Sequence, residues 1–85
     1  MKYVINYGCG RATLYTPHEN WEERFMELAS QCFGIRKSIM CAELLSKSEE
    51  SYLYPLYGEY ERLEHSGDVI VWNAAGEKIK SEWDF

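Results

Sequence analysis

The sequence predicts an α+β fold: an antiparallel sheet of four to five strands with one main helix, over residues 17–33, packed on one face. Three observations lead there. A strand, a glycine-bearing turn and a second strand can be read near each end of the chain. Between them stands one segment with helical periodicity and marked ends. The third is length, since 85 residues form one domain, 1–85, and are too few for a doubly wound parallel fold.

Taken in order, Lys2 to Tyr7 is rich in β-branched and aromatic residues, as is Arg11 to Tyr15, and Gly8-Cys9-Gly10 separates them. That pattern is a β-hairpin, with glycines where a tight connection needs positive φ. Thr16-Pro17-His18-Glu19 then combines a capping threonine, proline at a first helical position and glutamate three residues after the threonine, so a helix is expected to start at Pro17. Around that helix Trp21, Phe25, Leu28, Ala29 and Cys32 share one arc, flanked by Met26 and Phe33, and form the face that packs on the sheet. Gly34 and Ile35 fit a Schellman ending near Phe33, and Arg36 and Lys37 suit the negative end of the dipole.

Residues 38–45 are apolar on both parities, compatible with a doubly covered strand or a short helix, and are read as a strand. Ser46 to Ser51 is polar and reads as a loop. From Tyr52 to Glu64, Pro55 and Gly58 interrupt any long element, leaving two readings: a second short helix over about 55–65, or a strand from Glu59 to Glu64 turning at His65-Ser-Gly67-Asp. Val69 to Trp72, the turn Asn73 to Gly76 and Glu77 to Lys80 form a closing hairpin, followed by a tail over 81–85.

Composition sets the functional limits. Hydrophobic residues at 46% and charged residues at 27% describe a globular chain. No apolar run approaches the ~18 residues of a membrane span, and Met1 to Tyr7 lacks the parts of a signal peptide. Three cysteines, Cys9, Cys32 and Cys41, show no metal or redox spacing, which favours reduced thiols in a cytoplasm. Fourteen acidic against nine basic residues give a net charge of −5, a field that repels phosphate backbones and favours a basic protein partner.

Few motifs carry chemistry. Gly8-Cys9-Gly10 matches no phosphate-binding loop and reads as a turn. A thiol nucleophile at Cys9 would need His18 or His65 within hydrogen-bond reach. Cys32 and Cys41 stand in apolar settings where cysteine acts as a small hydrophobe. Glu19, Glu23 and Glu27 recur every four residues, a spacing of like charges that costs a helix a few tenths of a kcal/mol per pair and so hints at use. Between Glu43 and Asp68, seven acidic residues face two basic ones, interleaved with Tyr52, Tyr54, Tyr57 and Tyr60. Tyrosine is a favoured interface anchor, offering large contact area at low entropic cost.

These features point to a non-enzymatic acidic binding protein that docks on a basic protein surface and inhibits or regulates it. The expected contact residues are Glu19, Glu23, Glu27, Tyr52, Tyr54, Tyr57, Glu59, Tyr60 and Glu61. No cofactor, metal, membrane or direct nucleic-acid contact is expected. In size and charge the chain is similar to small acidic inhibitors of nucleic-acid-handling machinery, such as phage anti-restriction and anti-CRISPR proteins; no motif carries that likeness. Two alternatives are a structural or assembly subunit that self-associates through a sheet edge, with a homodimer as the simplest form, and a small thiol enzyme using Cys9.

Overall fold

Alternating side chains in the first half of the chain decide where the sheet lies. Tyr3 and Ile5 are buried on one face of β1 (Lys2–Asn6), with Tyr7 buried just beyond its end, and Ala12 and Leu14 are buried on the same face of β2 (Arg11–Tyr15). The two strands pair antiparallel, with Tyr3 opposite Leu14 and Ile5 opposite Ala12. The expected hairpin is present: Tyr7 N donates to Gly10 O at 3.1 Å, and Gly8 takes φ +89°. The computed structural model describes residues 1–8, 10–33, 42–49, 58–65 and 67–83, with the backbone alone at 33 and 80–83.

The helix α1 (Trp21–Phe33) starts four residues later than Pro17, and the expected ending at Gly34 and Ile35, with Arg36 and Lys37 after it, lies outside the described residues. Thr16 is drawn into the interior instead. Its hydroxyl accepts from His18 N at 3.2 Å and donates to Glu61 Oε2 at 2.7 Å, so it does not cap a helix. The cap is Asn20, whose carbonyl accepts the first helical bond from Arg24 N at 3.1 Å and whose side chain reaches Glu23 at 3.4 Å. The threonine-to-glutamate spacing at 16–19 is thus repeated, as asparagine to glutamate, at 20–23. Phe25, Leu28 and Ala29 are fully or almost fully buried against the sheet face of Tyr3, Ile5 and Tyr7. Trp21 is only half-buried and stacks on Tyr3, while Cys32 packs at the margin of the core.

The remaining strands are β3 (Glu43–Ser48), β4 (Glu61–His65), β5 (Asp68–Trp72) and β6 (Lys78–Trp83). All pairings are antiparallel and the order is β3-β1-β2-β4-β5-β6, six strands where four to five were expected. Of the two readings of 52–64 the structure takes the strand: residues 61–65 pair with both β2 and β5 and are not helical, while 52–57 lie outside the described residues. Of the expected strand over 38–45, residues 43–45 are strand. Its first four residues lie outside the description, and β3 extends through Ser46, Lys47 and Ser48, which read as loop. Pairing with β1 satisfies that backbone, so no apolar alternation is needed to keep it extended. The closing hairpin turns at Asn73, whose Oδ1 accepts from Ala75 N and Glu77 N, with Gly76 at φ +84°. Its second strand runs on to Trp83, into the expected tail.

The core lies between α1 and the sheet, completed by Leu63, Ile70 and Trp72. On the opposite face Tyr15 and Val71 are also buried, with Arg62 between them in the register.

Candidate functional site

The chain from Thr16 to Glu27 leaves the sheet, turns exposed through residues 17–20 and enters α1 with Glu22 and Glu23 in its first turn. Glu19, Glu22, Glu23 and Glu27 are all exposed. The helix contains one cation, Arg24, and it is engaged on both sides. Its Nε lies 2.7 and 3.0 Å from the two oxygens of Glu61, Nη2 also contacts Glu61, and Nη1 contacts Glu27. Hydrogen bonding to Glu61 raises the guanidinium pKa further, against the lowering effect of its partial burial. Carboxylates therefore dominate the outward face of this turn.

Two open clefts flank that row. One, of about 270 Å³, is lined by His18, Asn20, Glu23, Arg24 and Glu27. The other, of about 430 Å³, has Glu19, Glu22 and Glu23 around the half-buried Trp21 and Met26. Asn20 and Glu23 line both. Acidic rims over an indole and a thioether suit a side chain with an apolar stem and a cationic head, because the stem covers carbon while the head stays among carboxylates. On the other side of His18, a hollow of about 270 Å³ is lined by Arg24, Tyr60, Glu61 and the turn 73–76. The Tyr60 ring meets His18 edge-on, with centroids 5.9 Å apart.

The structure thus separates the expected contact residues. Glu19, Glu23 and Glu27 share an exposed flank. Tyr60 is half-buried beside His18. The side chain of Glu59 is only 9% exposed, 3.9 Å from Arg62 Nη1. Glu61 is 2% exposed and holds Thr16 and Arg24, so it belongs to the interior and not to a docking surface. Its position at the start of a strand, opposite Trp72 in the register, turns it under the helix. Tyr52, Tyr54 and Tyr57 lie outside the described residues. The Thr16–Glu61–Arg24 clip was missed by sequence reasoning; its only advance signal was a glutamate at an alternation position shared with the buried Leu63.

His65 tilts against Tyr7, with ring centroids 5.1 Å apart, and Cys9 lies outside the described residues, as does Cys41. Burial raises the Cys32 thiol pKa, which suppresses its thiolate. Among the described residues no group of three or more His, Cys, Asp or Glu is placed to hold a metal ion, and no helix is long and apolar enough to cross a membrane. Comparison with protein-family models, with curated proteins and with solved structures finds no match.

Proposed function

We propose that the protein is a binding module whose acidic flank, Glu19, Glu22, Glu23 and Glu27, docks on a basic surface of another protein and blocks or regulates it. The observation that carries this reading is the flank itself: four exposed carboxylates beside two clefts, with the sole helix cation tied to Glu61 and Glu27. Glu22 and Glu23 in the first turn favour the helix dipole, and only Glu23 and Glu27 stand at a like-charge spacing within the helix, so the reading rests on the exposure of the four carboxylates and the clefts beside them. Surfaces that bind nucleic acid are rich in lysine and arginine, so this flank complements them and would compete there with a phosphate backbone. A role as a small inhibitor of nucleic-acid-handling machinery follows from that competition.

The test is capture from the native host, followed by charge reversal. A basic partner should be recovered in stoichiometric amount, and its affinity should fall as salt rises through physiological strength. Glu22→Lys with Glu23→Lys should weaken binding at least tenfold, chiefly through the association rate, while the melting curve shows only the small loss that cations in the first helical turn impose. Full affinity in that folded variant would remove the acidic flank from the interface.

A further inference from the structure

We propose that β6 is the seam of a symmetric homodimer, pairing antiparallel with β6 of a second copy about Ser81, so that two six-stranded sheets join into one. Among the described residues the large apolar side chains left exposed are Leu44, Leu45 and Ile79, at 37, 43 and 44%. All three stand on β3 and β6, the two outermost strands of the sheet. An edge strand offers a row of backbone donors and acceptors to any strand that matches it. The match for β6 is its own sequence. Read in reverse about Ser81, Ile79-Lys-Ser-Glu-Trp83 sets Lys80 of one copy opposite Glu82 of the other, Ile79 opposite Trp83, and Ser81 opposite itself. The two-fold axis makes each unlike pair occur twice. Opposite charges and aromatic-aliphatic pairs are the cross-strand neighbours that favour pairing.

The register supports this edge over the other. From Lys80 to Trp83 the pairing with β5 is unbroken, running Lys80 with Val71 through Trp83 with Asp68, and the irregularity falls at Ile79. In β3 it falls mid-strand, leaving Leu45 without a partner on β1, so Glu43 and Lys47 occupy opposite faces and a pairing about Leu45 cannot join them. A β3-to-β6 contact would be head-to-tail and leave free edges that propagate, whereas β6 on β6 closes at two copies. The seam spans about five residues per copy, a small interface, so a dissociation constant on the order of 0.1 mM is expected. It lies on a different element from the acidic flank and does not rest on that reading.

The test is sedimentation equilibrium of the full chain up to about 1 mM, well above the expected constant. The wild type should show a monomer–dimer equilibrium. Lys80→Glu or Glu82→Lys alone sets like charges opposite each other at both pairs and should weaken association at least tenfold. Combining the two restores the pairs in this register alone, so the double variant should return to within threefold of the wild type. Melting curves show that each variant is folded. A wild type that stays monomeric throughout overturns the proposal. So does association that is indifferent to the single reversals, or a double variant no better than either.

Discussion

The inner strands and the outer strands of this sheet are held by different forces. In β1 and β4, and in β2 as far as Leu14, buried and less buried residues alternate, and Tyr3, Ile5, Ala12 and Leu14 join Phe25, Leu28 and Ala29 of the helix in the core. In β3 five of six residues are exposed, two of them leucines. An inner strand is fixed by side-chain burial and also by two backbone partners; β3 has one described backbone partner and little burial. An inner strand therefore needs side chains that suit burial, alternating in β1 and β4 and consecutive at Ile70 to Trp72 of β5, while an outer strand is free to carry a polar sequence. Lys47 illustrates the freedom, using its strand position to set its ammonium 5.8 Å from the Tyr3 ring centroid.

The sharpest way to break this contrast is at the helix–sheet contact. Phe25→Ala should cost about 3–5 kcal/mol, because the ring is fully buried and packs on Tyr7 with centroids 5.6 Å apart. Chemical denaturation measures it. A loss below about 1 kcal/mol would mean that the helix does not cover the inner strands.

Second in size is the clip between helix and sheet. Glu61→Ala strands Arg24 and Thr16 and should cost about 3 kcal/mol, the low end for breaking a buried ion pair, since the Arg24 side chain keeps 22% of its exposure. Thr16→Val removes the hydrogen bond to the carboxylate and the one accepted from His18 N, and should cost about 1–2 kcal/mol. A cost for Glu61→Ala no larger than that for Thr16→Val would show that the arginine adds little to the clip. Charge reversal at Glu61 would therefore unfold the protein before it probed any docking surface.

Third, Tyr3 should give the fold an alkaline limit. Burial raises its phenol above the ordinary value, with Glu19 and Glu49 adding to the shift. Above that ordinary value, about pH 10, the unfolded chain loses a proton that the native state keeps, so stability falls as pH rises and is undiminished by this group below it. Tyr3→Phe should flatten the fall in melting temperature between about pH 9 and 11, even though it loses the hydrogen bond to His18 O at 3.2 Å.

The same contrast explains what the sequence discloses. The first hairpin, the apolar arc of the helix and the turn at Asn73 to Gly76 are legible because each has a local cause: alternation, periodicity, or a residue suited to positive φ. The helix start was misread because Thr16 has a long-range partner, Glu61, 45 positions away, which outcompetes local capping. The strand through Ser46 to Ser48 was hidden because its cause is the backbone of β1. For the candidate site, the row Glu19, Glu23 and Glu27 was visible as spacing, whereas the burial of Glu61 appears only once β4 is placed under the helix.

The smallest expected effect is at Leu45, and it bears most directly on the contrast. Leucine is ordinarily a core residue, and by composition alone its loss would be ranked with that of Leu28. Yet Leu45 is 43% exposed and has no register partner on β1, so its side chain gains little from folding. Leu45→Ala should shift stability by no more than about 0.5 kcal/mol, as at other surface positions away from special features. Leu28→Ala, at 1% exposure in the core, should cost about 2–5 kcal/mol. Measured side by side in urea, the pair compares one side chain in the two settings. If Leu45→Ala costs more than about 1 kcal/mol with an unchanged denaturant slope, β3 is held by side-chain burial after all, and the distinction between inner and outer strands fails.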